Sequence, residues 1–421
     1  MNNIIKKPEL LIPAGSLEVL KVAVDFGADA VYIGGDNFSL RAMAKNFDAK
    51  DMAEGIAYAH ERGVKVHVTA NITAHNYDID NIREYFKELN VLHPDAVIIS
   101  DPGVFMIAKE ILDADIERHI STQANNVNYM TFRFWYKQGA KRVVCGRELS
   151  LAEIKEIREN VPEDLEIECF IHGAMCISYS GRCLLSNFMT GRDANRGACT
   201  HPCRWKYFLM EESRPGEYFP VIENDRGTYI FNSKDLCMIG HVPELINAGI
   251  GSFKIEGRMK TALYVAAVTR TYRRAIDDYI TDPALYEKNM DWYLEEIEKC
   301  TYRNYTTGFY FGKPTDEAQI YDANVYLRNY IYLGILEEVY EDGSFLITQR
   351  NKFCVGDEVC IMTKKGGDVI ARVVSLKNEE GEEVQSCPHP AQKITVKLES
   401  DYLPEAGDLL RMKDIKKEEN R

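Results

Sequence analysis

The sequence predicts an α/β protein: a TIM-like (β/α)8 barrel with a Cys-rich insert after strand seven, followed by a small C-terminal β-barrel domain. Apolar strand-like segments alternate with amphipathic helical segments through the first two thirds of the chain. Such alternation is typical of a parallel sheet covered by helices, and eight units favour a closed barrel. An open doubly wound sheet is the alternative, although no GxGxxG motif follows the first strand.

The predicted strands of the barrel are short apolar segments, and a helical segment lies between most pairs of successive strands. The strands are expected at Leu10–Pro13, Ala30–Ile33, Lys65–Ile72, Ala96–Ser100, Glu117–Thr122, Arg142–Cys145, Glu166–Ile171 and Phe253–Glu256. The helices are expected at Leu17–Phe26, Asp48–Arg62, Ile79–Leu92, Val104–Leu112, Tyr129–Lys137, Leu151–Asn160, Val242–Ala248 and Ala262–Tyr279. Ser16 is a suitable N-cap for the first helix, and Gly27, Gly63 and Gly139 each end a helix.

The character of the sequence changes after Asp291, where short β-prone segments separated by glycine turns predict a second domain. Its strands are expected at Tyr332–Glu338, Ser344–Gln349, Glu358–Met362, Val369–Leu376 and Lys393–Leu398. The predicted organisation is a barrel domain (1–295) with its insert (about 174–240), a connector (296–329) and a C-terminal β-barrel (330–421).

Composition narrows the class of protein. The chain has 421 residues, 45% hydrophobic and 28% charged, as in soluble globular proteins. Its net charge of −14 argues against non-specific nucleic-acid binding, although a local basic patch remains compatible with it. The N-terminus lacks a signal peptide, and no run of 18 apolar residues predicts a membrane span, so we expect a cytoplasmic protein with 11 reduced cysteines.

The carboxyl ends of the strands form the active-site face of a TIM barrel. The polar residues expected at this mouth are Glu9, Asn71, Asp101, Gln123, Arg147, Glu148, His172, Lys254, Glu256 and Arg258. The candidate catalytic residues are Glu9, Asn71, Glu168 and His172. The candidate substrate-binding residues are Gln123, Arg147, Lys254, Glu256 and Arg258.

Arginines are abundant near the predicted mouth, and their side chains bind carboxylates and phosphates. They are Arg147, Arg182, Arg192, Arg196 and Arg258. Salt bridges with neighbouring acidic residues such as Glu148, Asp193 and Glu256 are the alternative for some of them. Glu168 is expected to pair with an Arg or Lys, because an uncompensated carboxylate on a strand is costly.

Five cysteines lie in or beside the insert, and they are Cys176, Cys183, Cys199, Cys203 and Cys237. Thiolates gathered in a reducing cell are typical ligands of a [4Fe–4S] cluster or of structural zinc, and ordinary core thiols are the alternative. The sequence has neither an HExxH nor a GxSxG peptidase motif. A catalytic pair of Cys176 and His172 stays open, because such pairs are defined by geometry.

The segment ECFIHGAMCISYSGRCLLS (168–186) closely resembles the signature of the peptidase U32 family, the collagenase-like proteases. The resemblance extends over about residues 8–315 through the blocks ELLIPAGSLEVLKVAVDFGADAVYIGG, ISTQANNVN, NRGACTHPCRWKY, FNSKDLC and FKIEGRMK. The C-terminal domain also looks like that of longer members. Within the family, the chain is most similar to the prephenate-dependent tRNA uridine hydroxylation proteins.

This resemblance implies an enzyme that forms 5-hydroxyuridine at the wobble position of the tRNA anticodon loop, with prephenate as co-substrate. It implies a [4Fe–4S] cluster bound by Cys176, Cys183, Cys199 and Cys237. Cys203 is the alternative to Cys199 as the third ligand. The family name implies a U32-type peptidase as the alternative, and a zinc-stabilised RNA-binding factor without catalysis is the second alternative. A homo-oligomer and a paralogous partner both stay open.

Overall fold

The computed structural model describes residues 6–35, 38–39, 46–176, 178–179, 183, 185–204, 208–209, 219–220, 234–313 and 326–414. Its first eleven strands are β1 (Glu9–Pro13), β2 (Ala30–Gly34), β3 (Lys65–Ala70), β4 (Ala96–Ile99), β5 (Glu117–Ile120), β6 (Arg142–Val144), β7 (Glu166–Ala174), β8 (Phe208–Leu209), β9 (Phe219–Pro220), β10 (Asp235–Cys237) and β11 (Ser252–Ile255). Strands β1 to β7 pair in sequence order and in parallel, and β11 pairs in parallel with both β7 and β1. The sheet therefore closes into the predicted eight-stranded barrel, and the open-sheet alternative is wrong.

Helices surround this barrel. They are α1 (Leu17–Asp25), α2 (Ala49–His60), α3 (Ile79–Leu92), α4 (Pro102–Ile111), α5 (Tyr129–Gln138), α6 (Leu151–Glu159), α7 (Leu185–Thr190), α8 (Val242–Asn247), α9 (Ala262–Thr281), α10 (Pro283–Lys288) and α11 (Met290–Ile297). The predicted N-cap is confirmed, since the Ser16 hydroxyl accepts a hydrogen bond from the Val19 amide at 3.3 Å. Gly27, Gly63 and Gly139 adopt positive φ angles of 105°, 70° and 100° after their helices, a conformation that favours glycine.

The insert follows β7, as the sequence predicts, and its described residues include three short strands that were not predicted, β8, β9 and β10. Strand β10 runs antiparallel to β7, with Cys237 opposite His172. Segments of two or three residues carry little periodic signal. Strand β10 therefore joins one end of the insert to the carboxyl-terminal end of β7.

The C-terminal domain is an antiparallel β-barrel, as predicted. Its strands and the short ones before it are β12 (Thr301–Tyr302), β13 (Tyr305–Thr306), β14 (Leu327–Arg328), β15 (Tyr330–Val339), β16 (Phe345–Thr348), β17 (Glu358–Met362), β18 (Asp368–Lys377), β19 (Glu383–Val384), β20 (Lys393–Glu399) and β21 (Leu409–Lys413). The order β17–β21–β15–β16–β20–β18 closes through a further β17–β18 pairing. Strand β21, which the sequence analysis missed, is needed for this closure because it joins β15 to β17.

A buried ion-pair network joins the two domains. Glu296 of α11 accepts hydrogen bonds from Arg411 of β21 at 2.9 and 3.1 Å and from Arg270 of α9 at 2.6 Å. Arg411 and Arg270 also each contact Asp368 of β18 at 2.6 Å. Met362 of the second domain packs with the core of the first. The C-terminal barrel is thus fixed against helices α9 and α11.

Candidate functional site

A cavity opens at the carboxyl ends of the barrel strands. Its lining residues come from most of the strands and from the loops that follow them. They are Tyr32, Thr69, Asn71, Ile98, Ser121, Thr122, Gln123, Arg147, Phe170, Lys254, Glu256 and Arg258. Six predicted site residues are therefore brought together, and they are Asn71, Gln123, Arg147, Lys254, Glu256 and Arg258.

Three cations face this cavity, and Glu256 is the single carboxylate among its described lining residues. The Arg258 guanidinium donates to Ser39 Oγ at 2.6 Å and to Thr69 Oγ1 at 3.1 Å. It passes so close to Gly34 that a Cβ atom there would lie 2.1 Å from its Nη1 atom. The excess of cationic groups makes the cavity suited to an anionic small molecule.

Arg147 reaches the cavity along the ring of Phe170. Its guanidinium carbon lies 4.0 Å from the ring centroid, and Nη1 donates to the Ala174 carbonyl at 2.9 Å. Among the described residues, its buried Nε–H has no hydrogen-bond acceptor. A buried donor without a partner is costly, so this N–H is available for an acceptor atom of a ligand.

Glu168 lies beneath the cavity, inside the barrel, and does not line the cavity. It accepts hydrogen bonds from Lys254 Nζ at 2.6 Å and from Arg142 Nη1 at 3.0 Å, so the predicted pairing with a cation is confirmed. Burial alone would raise the pKa of Glu168, but the charges of Lys254 and Arg142 outweigh it and lower the pKa to about 2. Glu168 is therefore an ionised carboxylate that holds Lys254 in place.

The expected position of Glu9 at the mouth is wrong. Glu9 is the first residue of β1, at the amino-terminal end of the barrel, where it forms an ion pair with the buried Arg142. Arg142 also pairs with Glu166 and Glu168. Glu9 precedes the apolar segment Leu10–Pro13, so the direction of the chain already places it at the amino-terminal end of that strand.

His172 is also displaced from the expected place, because it is buried behind the cavity wall and does not line it. Its ring packs against Tyr264, Tyr272 and Tyr305, at centroid distances of 6.0, 5.6 and 5.5 Å. Burial, with a smaller effect from Lys260, lowers the pKa of His172 to about 3, so its imidazole is neutral. These contacts are those of a packed core residue.

Asp101 likewise does not line the cavity. Its side chain accepts hydrogen bonds from the backbone amides of Gly103 and Val104, at 2.8 and 3.0 Å, and so caps helix α4. The predicted mouth arginine Arg182 lies outside the described residues.

Three of the insert cysteines lie near one another beside Arg147. Cys176 is exposed as a residue, but other protein atoms surround its sulfur, and this burial raises the pKa of the thiol. The nearby Cys183 and Cys199 raise that pKa further. The Arg147 charge acts in the opposite direction by favouring the thiolate. This arrangement groups three thiols at the rim of the cavity.

Cys237 has different surroundings. Its sulfur lies 3.9 Å from the hydroxyl of Tyr272, on strand β10, which pairs with β7. Burial raises the pKa of Cys237 to about 12, and burial also raises the pKa of the Cys176 thiol. The Cys237 thiol therefore lies beside a tyrosine hydroxyl.

Asn195 and Arg196 tie the cysteine segment to the loop after β3. Asn195 Nδ2 donates to the Cys183 carbonyl at 2.8 Å, and its own carbonyl accepts from the Thr73 amide at 3.1 Å. Arg196 donates to both carboxylate oxygens of Asp78, at 2.8 and 3.0 Å. Asp78 is not among the predicted site residues, because Asp78 and Arg196 lie far apart in the chain.

Among the described residues, one set of three or more His, Cys, Asp or Glu side chains has all its ligand atoms within 4.8 Å of one another, namely the exposed His93, Asp113 and Asp115. These three residues follow helices α3 and α4, at the face of the barrel opposite the cavity. Within the same described part, no helix combines the length and the apolar character that a bilayer crossing requires.

Comparison with known proteins adds the family. Residues 15–320 match the model of peptidase family U32, and residues 328–411 match the model of the peptidase family U32 C-terminal domain. The chain is 41% identical to tRNA hydroxylation protein P1 of Bacillus subtilis over 402 residues, which cover 95% of this chain and 94% of that protein.

Two further relatives match nearly the whole chain. Identity is 37% over 436 residues with tRNA hydroxylation protein P of Escherichia coli, covering 94% of each chain. It is 40% over 408 residues with an uncharacterized protease of Methanocaldococcus jannaschii, covering 95% of this chain and 97% of the relative. From the two family models and these full-length similarities, we conclude that the chain belongs to peptidase family U32.

Proposed function

We propose that this protein is a tRNA modification enzyme that hydroxylates the wobble uridine to 5-hydroxyuridine, with prephenate as co-substrate. The observation that carries the proposal is the similarity to the tRNA hydroxylation proteins of B. subtilis and E. coli over 94–95% of the chain. Such coverage includes the cavity, the insert and the C-terminal barrel. The tRNA substrate and the free thiols agree with a cytoplasmic location.

The cavity suits prephenate, a dianion with two carboxylates. Arg147 and Arg258 offer guanidinium groups for the carboxylates, and Lys254 adds a buried ammonium. The amides of Asn71 and Gln123 provide further hydrogen bonds, while Tyr32 and Phe170 supply apolar walls. The target uridine must leave the stack of the anticodon loop to reach this mouth.

The thiols beside the cavity suit a [4Fe–4S] cluster better than a zinc ion. Four thiolates around one zinc lie about 3.8 Å apart, given a Zn–S distance of about 2.3 Å. Each thiolate of a [4Fe–4S] cluster binds a different iron, which requires a wider spacing. Cys183 and Cys199 both act electrostatically on the Cys176 thiol, and the three sulfur atoms do not form a set within 4.8 Å among the described residues.

We assign the fourth thiolate to Cys203 in place of Cys237. Cys203 follows Cys199 by four residues in a short 3₁₀ helix, Pro202–Arg204, whereas Cys237 packs against Tyr272. When bound, the cluster supplies the redox chemistry of the reaction. The side chains of this chain bind and orient the two substrates, and the buried Glu168–Lys254 pair keeps one cation directed into the cavity.

Peptide hydrolysis is the second candidate, because the family name and the M. jannaschii relative point to it. The described residues that line the cavity include neither His nor Cys, which disfavours a Cys–His nucleophile there. The third candidate, a zinc-stabilised RNA-binding factor, requires zinc without sulfide and no turnover.

The deciding experiment begins with anaerobic purification and determination of iron, zinc and acid-labile sulfide. We then expect purified protein, tRNA and prephenate to yield 5-hydroxyuridine, detected by nucleoside mass spectrometry. Turnover without prephenate would contradict the assignment of the co-substrate. Zinc without sulfide and without product would favour the RNA-binding factor, and cleavage of a peptide library without product would favour the peptidase.

A further inference from the structure

The loop after β3, which also carries the cavity residue Asn71, bears a stack of flat side chains. The rings of His75 and Tyr77 are nearly parallel, with an interplanar angle of 6° and centroids 5.3 Å apart. The Arg196 guanidinium carbon lies 5.2 Å from the Tyr77 ring centroid. We call His75, Tyr77 and Arg196 the rim stack.

The rim stack remains open to solvent. Tyr77 is 69% exposed, and His75 is exposed as well. An exposed tyrosine alone is common, but here two aromatic rings and a guanidinium lie together, at the end of the strand that delivers Asn71 to the cavity. The aromatic surface that is exposed to water here can stack against a planar ligand.

Hydrogen bonds hold the rim stack in place before any ligand arrives. The buried carboxylate of Asp78 accepts from the His75 amide at 2.8 Å and from two nitrogens of Arg196. The Arg196 hydrogen bonds, followed by the His75 amide, lower the pKa of Asp78 against the opposing effect of burial. Arg196 also donates to the Thr73 carbonyl at 3.0 Å. The loop is therefore ordered, which reduces the entropy cost of binding.

We propose that the rim stack binds an unpaired nucleobase of RNA, next to the base that enters the cavity. Aromatic rings and guanidinium planes are the groups on which proteins stack splayed bases of single-stranded RNA. Asp78 balances the charge of Arg196, so the guanidinium contributes a planar surface beside Tyr77 and no net positive charge. This inference rests on the proposed tRNA function and adds a binding site to it.

The test measures the affinity of the full-length protein for two RNA probes. One is a synthetic anticodon stem–loop with 2-aminopurine beside the wobble uridine, and the other is a fully paired duplex of equal length. The variants are Tyr77→Ala, Tyr77→Phe and, as a control, Phe134→Ala, which removes an aromatic ring that is 50% exposed on α5. Because Tyr77 is exposed, these substitutions leave the core intact.

We expect Tyr77→Ala to weaken stem–loop binding about 5- to 150-fold, the range for loss of one stacked base, and to reduce the quenching of 2-aminopurine. Tyr77→Phe keeps the ring and should bind like the unmodified protein, as should Phe134→Ala. Duplex binding should be equal for all variants, since a duplex offers no splayed base.

Two outcomes would overturn the inference. In the first, Tyr77→Ala binds the stem–loop as tightly as the unmodified protein does, while that protein still binds and hydroxylates tRNA. In the second, Tyr77→Ala weakens duplex and stem–loop equally, which would indicate a contact with the RNA backbone. Failure of the unmodified protein to bind the stem–loop at all would contradict the proposed tRNA function together with this inference.

Discussion

The Nζ atom of Lys254 lies 2.6 Å from the Oε1 atom of Glu168, and both side chains are buried at the base of the cavity. The second oxygen of Glu168 contacts Arg142, which in turn pairs with Glu9 at the far end of the barrel. A line of alternating charges therefore runs from the amino-terminal end of the barrel to the substrate cavity. This line fixes Lys254 before any substrate binds.

Removing the charge of Glu168 should destabilise the fold. In Glu168→Gln, two buried cations lose a shared partner, and breaking a buried pair typically costs about 3–5 kcal/mol. Urea unfolding followed by circular dichroism should give a lower midpoint for this variant. The control is Glu54→Gln, which breaks the exposed pair with Lys21 and should leave the midpoint unchanged. An equal midpoint for Glu168→Gln and the unmodified protein would contradict the prediction.

The same carboxylate should make stability depend on pH in a defined window. The pKa of Glu168 is about 2 in the folded protein and 4.5 as a reference value, so the folded state favours ionisation. Its contribution to stability is complete above pH 4.5 and is lost as the pH falls towards 2. The difference in unfolding midpoint between the unmodified protein and Glu168→Gln should therefore shrink below pH 4.5. A constant difference across that window would show that ionisation of Glu168 is not the cause.

The arginine at the rim should control affinity for the anionic co-substrate. Arg147→Gln removes a charged donor, and hydrogen bonds to charged groups contribute about 1.5–3 kcal/mol, so KM for prephenate should rise about 10- to 150-fold. Initial rates at saturating tRNA check this. Arg83→Gln, on the exposed face of α3, is the control and should keep the original KM. A loss of kcat with unchanged KM would assign Arg147 a role other than binding prephenate.

The two candidates for the fourth cluster thiolate give opposite expectations. Cys203→Ala should lose iron and acid-labile sulfide, while Cys237→Ala should retain both, because Cys237 packs against Tyr272. Metal and sulfide analysis after anaerobic purification distinguishes them. The reverse pattern would restore the ligand set that the sequence resemblance implies.

The domain contact should depend on Arg411, which is fully buried between Glu296 and Asp368. Arg411→Met leaves the buried carboxylate of Glu296 and the partly exposed carboxylate of Asp368 with fewer partners, so the docking of the C-terminal barrel on α11 should weaken. Limited proteolysis should then separate the two domains faster than in the unmodified protein. Arg350→Met, which removes an exposed interdomain pair with Glu18, is the control and should show little change. Equal cleavage rates for Arg411→Met and the unmodified protein would argue against a role of this network in docking.

The residue pattern predicted the eight βα units, the position of the insert after the seventh strand and six cavity residues, namely Asn71, Gln123, Arg147, Lys254, Glu256 and Arg258. It could do so because strand and helix periods are local properties, and because the carboxyl ends of parallel strands always meet at one face of a barrel. The cysteine-rich motif also pointed directly to the family.

The folded structure separates the polar residues that face the cavity from those that serve the core. It buries His172 among tyrosines and places the Cys237 sulfur beside the Tyr272 hydroxyl. It also pairs Arg196 with Asp78, which lies 118 residues away in the chain. Such placements depend on burial and on contacts between distant segments, and the local pattern of residues contains neither.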